Sequence, residues 1–225
     1  MNPIYLLVCI TERWLTQDCE EIFKSHGVHL ILSTQAEGTA SSAMLEYLGF
    51  DRTEKALMLA PITEATSRPV VKAIHKLHRL RSRQNSITAM IPMSSVGGAT
   101  VYHYMTEDQI LEDKDLKPMS KQAVELIIAI ANGGSTDVVM EAARSAGARG
   151  GTVVHAKTAD MKRAEQFFGV SISTEKAMVM ILSTPEDKHA IMKAIMEKAG
   201  VATKARSIVF SIPVSDVKGA TLTDD

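Results

Sequence analysis

The side chains with most chemistry to offer in this chain are cationic. Thr203-Lys204-Ala205-Arg206-Ser207 carries an ammonium and a guanidinium two positions apart. Both suit phosphate oxygens, the guanidinium as a planar fork and the ammonium as a compact charge. Solvated surface charge is the plainer role for the same pair. A second set, Lys72, Lys76, Arg79, Arg81 and Arg83 with His75 and His78, closes a helical stretch. Cations favour a helix C-terminus in any case. His75 and His78 have the i, i+3 spacing of metal ligands, and His103 lies further on. No cysteine or acid shares the segment of that histidine pair, so a zinc or copper site is weakly supported. His26 and His29 straddle a turn, and His155 sits in a β-rich run. Cys9 and Cys19 read as reduced, partly buried thiols. No Ser-His-Asp spacing, carboxylate pair or complete metal cluster emerges, so no enzyme is expected.

These residues need elements to position them. The 225 residues allow one large domain or two small ones. Apolar residues make up 45% and charged residues 23%, a globular composition rather than a disordered one. Lys plus Arg number 25 against 26 Asp plus Glu, so no overall basic surplus favours nucleic acid. No leader or membrane span is apparent, and a cytoplasmic location is expected.

Self-comparison is more informative. Leu6-Leu7-Val8-Cys9-Ile10 corresponds to Leu126-Ile127-Ile128-Ala129-Ile130, Gly27 to Gly147 and Gly49 to Gly169, all at an offset of 120. After one inserted residue the offset is 121. Thr53-Glu54-Lys55-Ala56 then repeats as Thr174-Glu175-Lys176-Ala177, Ile91-Pro92 as Ile212-Pro213 and Gly98 as Gly219. The chain is therefore divided into unit 1 (1–98), a polar linker (99–120) with room for a short helix, and unit 2 (121–225).

In unit 2, Val124–Ala131 reads as a strand and Asn132-Gly133-Gly134 as a turn. Ser135 stands as the N-cap of a helix that stops at Gly147. Gly151–Ala156, Ala177–Leu182 and Ser207–Val214 read as strands, and Pro185–Ala199 as a helix. Unit 1 follows with Ile4–Ile10, Asp18–His26, Val28–Ser33, Ala56–Pro61, Pro69–Arg81 and Ile87–Met93. The order β-α-β-β-α-β predicts an α+β chain of two tandem ferredoxin-like units. Ile208-Val209-Phe210-Ser211-Ile212 is apolar almost throughout, which predicts burial on both faces. The units are expected to associate through their open sheet faces, within the chain or between chains. The recurring Glu54-Lys55 and Glu175-Lys176 pairs suggest ion pairing between units.

Unit 2 resembles the nitrogen regulatory protein P-II family. The likeness runs through Ala146-Gly147-Ala148-Arg149-Gly150-Gly151-Thr152-Val153-Val154-His155-Ala156, Phe167-Phe168-Gly169 and Glu175-Lys176-Ala177, and ends with Ile208–Val214. Unit 1 matches through Glu37-Gly38-Thr39-Ala40 and Tyr47-Leu48-Gly49. The resemblance implies a trimeric, non-enzymatic sensor for nitrogen regulation. It implies an adenine nucleotide (ATP, ADP or AMP) between units and no firm resident cofactor. It also implies mobile loops that act on a transporter, an enzyme or a transcription regulator. Carried over residue by residue, it marks Gly38, Thr39, Gly151, Thr152, Lys204 and Arg206 for the effector. It marks Lys157, Lys162 and Arg163, after strand two, for the partner. The chain lacks the family's glycine-rich phosphate loop, its modifiable tyrosine motif and its two C-terminal arginines. The related copper-tolerance proteins, which share the fold, give an ion-linked module as the alternative. A ligand-free regulatory domain is a further one.

Overall fold

The computed structural model describes residues 3–38, 53–81, 87–111, 124–159, 166 and 174–214. Unit 1 comprises β1 (Ile4–Glu12), a 3-10 turn (Arg13–Leu15), α1 (Thr16–Ser25), β2 (Leu32–Gly38), β3 (Thr53–Thr63), α2 (Glu64–Arg81) and β4 (Ile87–Pro92). A two-residue strand, β5 (Ser95–Val96), and α3 (Ala99–Thr106) follow. Unit 2 comprises β6 (Val124–Asn132), α4 (Thr136–Arg144), β7 (Thr152–Thr158), β8 (Glu175–Ser183), α5 (Pro185–Ala199) and β9 (Ile208–Val214).

All nine strands share one antiparallel sheet, in the order β4-β1-β3-β2-β7-β8-β6-β9-β5. Each unit contributes the fourth-first-third-second order of the split βαβ fold. The units meet edge to edge, β2 against β7. The β4 and β5 strands stand at opposite ends of that order, yet only Met93 and Ser94 separate them. The Met93 N–H bonds the Ile4 carbonyl on β1 at 3.0 Å, and the Ser94 N–H bonds the Ser211 carbonyl on β9 at 2.9 Å. The two ends of the sheet therefore meet, and the sheet closes into a barrel.

Period-two alternation sorts the side chains. Ile4, Leu6, Leu32, Ala156, Met178, Ile128, Ile130, Ile208, Phe210 and Ile212 turn inward and make one core from both units. Leu7, Cys9, Met58, Ala60 and Ile62 turn outward under α1 and α2. Ile127, Ala129, Val179, Ile181 and Val209 do the same under α4 and α5. The expected face-to-face association thus happens inside one chain, around a shared lumen.

The linker region holds α3, and α3 is core. Its Val101, Tyr104 and Met105 enter the lumen. The turn after it is locked to the end of β3. Gln109 Nε2 donates to the Pro61 carbonyl at 3.0 Å, and the Thr63 N–H donates to Gln109 Oε1 at 2.9 Å. α3 therefore stops one end of the barrel.

Three local expectations need correction. β2 begins at Leu32, not Val28. Val28, Leu30 and Ile31 are buried in the connection before it, so their apolar character records burial ahead of the strand. α2 begins at Glu64 and carries Pro69 inside it. The first turn is instead held by Thr63 Oγ1, which takes the Thr66 N–H at 3.3 Å. Ser135 occupies the N-cap position of α4 without a side-chain cap bond. In α5, by contrast, Thr184 Oγ1 accepts the Asp187 N–H at 3.1 Å.

Candidate functional site

The two units are stitched together only along part of their common edge. β2 and β7 pair at Leu32–Thr158 and Ser33–Lys157. The Ala159 N–H extends the seam to the Ile31 carbonyl at 3.1 Å, and Lys24 Nζ donates to the Ala159 carbonyl at 2.9 Å. Beyond Ser33 the ladder stops, and among the described residues a side-chain bond, Thr34 Oγ1 to the His155 carbonyl at 3.1 Å, spans the strands.

A cleft of about 770 Å³ lies along this seam. Ser33, Thr34 and Gln35 of β2 line one wall, with His155, Ala156 and Lys157 of β7 opposite. Further lining comes from equivalent places in the repeat. Arg13 and Thr16 follow β1, and Gly133 and Gly134 follow β6. Gly134 sits at φ +78°, where a side chain would be strained. The Gly133 N–H bonds the Glu175 carbonyl at 2.9 Å and seats the turn against β8.

Lys176 dominates the electrostatics. It is 8% exposed and faces inward beside Met178. Its Nζ donates to Asn132 Oδ1 at 2.6 Å, and among the described residues no carboxylate pairs with it. Burial pulls its pKa down to about 8. Lys157 lies opposite Glu175 in the β7–β8 register. Arg13 reaches Glu54 at 3.3 Å through an exposed pair. Among the described residues, Arg13, His155, Lys157, Glu175 and Lys176 all contribute to the lining, but strand alternation turns Lys157 and Glu175 to the face opposite Lys176.

Asn132 links this lysine to the expected anion loop. Its side-chain amide donates to the Lys204 carbonyl at 3.2 Å, and its N–H donates to the Ala205 carbonyl at 2.9 Å. The structure thus brings the backbone bearing Lys204 beside Lys176. Arg206 behaves differently. It takes φ +50°, and its guanidinium donates to the Val201 carbonyl at 2.7 Å. Thr152 opens β7, about 16 Å of strand from Lys157, and Gly151 directly precedes it. At Gly151 a Cβ would lie 3.0 Å from the Met180 carbonyl oxygen, so close packing onto β8 explains that glycine. Gly38 ends β2 opposite Thr53. Thr39, Lys162 and Arg163 lie outside the described residues.

The expected pairing of Glu54-Lys55 and Glu175-Lys176 between units takes another form at two of the four positions. Glu54 bonds Arg13 and Lys176 bonds Asn132, each within its own unit. Arg13, Asn132, Gly133 and His155 were not assigned to a site from the sequence. The repeat itself held a signal for them, because Arg13 and Gly133 are equivalent at the offset of 120, as are Gln35 and His155. His75 and His78, spaced like metal ligands, each meet a threonine hydroxyl, Thr88 at 3.2 Å and Thr11 at 2.9 Å. Cys9 and Cys19 are free and buried. The hydrogen bond with Cys19 and burial push the Cys9 thiol far above its usual range, so it stays protonated. No helix among the described residues is long and apolar enough to cross a membrane.

No family model matches the chain, and no curated protein matches it. Solved structures do match. A microcompartments protein from Desulfitobacterium hafniense DCB is 11% identical over 95% of this chain and 97% of its own, with a TM-score of 0.26. A point mutant of chlorite dismutase from Candidatus Nitrospira defluvii is 11% identical over 95% and 92%, with a TM-score of 0.25.

Proposed function

We propose that this chain is a P-II-like signal-transduction protein that takes a small anionic effector, of the adenine nucleotide class, in the cleft between its units. The observation that carries the reading is Lys176, a buried ammonium at the cleft whose hydrogen-bond partner, Asn132, is neutral. Among the described residues no countercharge meets this buried cation, which is costly, and a bound phosphate would supply one. The Lys204 loop is tied to the same lysine through Asn132. The cleft volume of about 770 Å³ lies within the usual range for small-molecule sites.

Regulation follows from where the cleft lies. A ligand bridging β2 and β7 favours one spacing of the two strands. The loops that leave their ends would pass that preference to a partner protein, a transporter or an enzyme, as a population shift. The lumen face of each unit is already used inside the chain. A homotrimer would therefore be built on other surfaces, and light scattering reads that directly. Calorimetry with ATP, ADP and AMP tests the effector. Binding that weakens at least tenfold in Lys176→Met supports the reading. No heat from any of the three at millimolar ligand removes it.

A further inference from the structure

The two ends of the barrel are not treated alike. At one end β9 is covered. β5 pairs along it at Ser95–Ser211 and Val96–Phe210, and α3 then enters the lumen with Val101. Ile208 is 6% exposed there and Phe210 1%. The equivalent strand of unit 1 is β4, at the offset of 121. Its Ile87, the counterpart of Ile208, is 62% exposed, and Ala89, the counterpart of Phe210, is exposed too. Both face the lumen, because they pair with Ile10 and Val8 of β1 in register with Ile91 and Leu6. Among the described residues β4 has no strand on its outer edge. An apolar strand edge of this kind is an aggregation hazard that proteins ordinarily cover.

The sequence that covers β9 occurs twice. Ser94, Val96, Gly98, Ala99 and Thr100 recur at the same offset as Ser215, Val217, Gly219, Ala220 and Thr221, and Val101 recurs as Leu222. The described chain leaves β9 at Val214, directly before this second copy. We infer that residues 215–222 cover β4 of the same chain as β5 and α3 cover β9, with Val217 beside Ala89 and Leu222 in the open end of the lumen.

The two-fold relation fixes the register. Ser95–Ser211 and Val96–Phe210 map onto Asp216–Met90 and Val217–Ala89. The bond from the Ser94 N–H to the Ser211 carbonyl maps onto one from Ser215 to Met90. One contact does not transfer. Gly97 lies so close to β9 that a Cβ would be 2.5 Å from Val209 Cγ1, and its counterpart is Lys218. The second strap therefore departs from β4 at Lys218, and Gly219 gives the backbone freedom to turn inward.

Two measurements on the full chain test this. Ala89→Cys with Val217→Cys, under mild oxidation, is expected to form an intrachain disulfide faster than a control pairing Ala89→Cys with Thr223→Cys. A rate no greater than the control overturns the inference, and a link between chains overturns it in favour of a second copy as the occupant. Hydrogen exchange gives the second reading. Val217→Asp with Leu222→Asp is expected to speed exchange of residues 87–92 at least tenfold and to leave residues 208–212 unchanged. Equal rates at 87–92 in parent and variant overturn the inference.

Discussion

Lys176 sets a pH dependence whose sign follows from its surroundings. Unfolded, a lysine keeps its proton to about pH 10.4. Folded, burial lets this one go near pH 8. Between those values the unfolded chain binds more protons, so stability rises with pH across the window from about 8 to 10.4. Below pH 8 the chain carries the full cost of a buried ammonium. Screening at the cleft mouth reduces the effect to about 1–2 kcal/mol. Lys176→Met is expected to be more stable than the parent at pH 7 and to lose this rise, as urea titrations at pH 7 and pH 10 would show. A parent and variant with parallel pH profiles would discard the account. The same lysine makes effector binding a proton event. An anion that restores its charge draws in up to one proton near pH 8.5, so the binding heat should vary with the buffer's ionisation enthalpy there and not at pH 6. Sequence comparison found this residue, since Glu-Lys-Ala recurs in both units, but it assigned the residue to ion pairing. Its burial depends on Asn132, 44 positions away across the β6–β8 ladder, and no local pattern carries that.

Among the elements, the joint where β5 crosses from unit 1 to unit 2 rests on a buried polar network. Lys188 of α5 donates to Glu125 Oε1 at 3.0 Å, and Ser94 Oγ donates to Glu125 Oε2 at 2.6 Å. Ser94 and Ser211 share a further hydroxyl contact at 2.8 Å. Both charged side chains are under a tenth exposed. Removing one partner strands a buried charge, so Glu125→Ala should cost about 3–5 kcal/mol. Replacing the pair together, Glu125→Leu with Lys188→Met, removes both desolvation costs and should recover most of that loss. Urea unfolding of the three proteins decides. A single variant within about 0.5 kcal/mol of the parent would show that the pair is solvated and not structural. The elements around this joint were legible to different degrees. Ile208–Ile212 announced burial on both faces, and β9 is buried over Ile208–Ile212. β2 was misplaced because Val28, Leu30 and Ile31 are buried apolar residues that precede the paired strand. The helix in the linker was foreseen as a short one, but not its burial, because Val101, Tyr104 and Met105 sit at helical spacing over only eight positions.

Across the whole molecule, the repeat predicted two units but not how strongly they depend on each other. Two ferredoxin-like units joined by a flexible linker would each own a core and unfold separately. Here each unit has a helix-covered core of its own, and the third core, in the lumen, belongs to both. Neither unit can keep its inward face covered once the other opens. α3 adds to this, because it leaves unit 1, fills the lumen, and anchors through Gln109 on β3. Unfolding is therefore expected to be one cooperative transition, with calorimetric and van't Hoff enthalpies in agreement. Tyr104, 3% exposed, is the most direct probe. Tyr104→Ala leaves a cavity in the shared core and should cost about 3–5 kcal/mol while keeping a single transition. Hydrogen exchange should then rise together in β1 and β6, which lie in different units and both face that cavity. Two resolved transitions, or a Tyr104→Ala effect confined to β1–β3, would mean that the units fold independently and that the closed barrel is a docked arrangement.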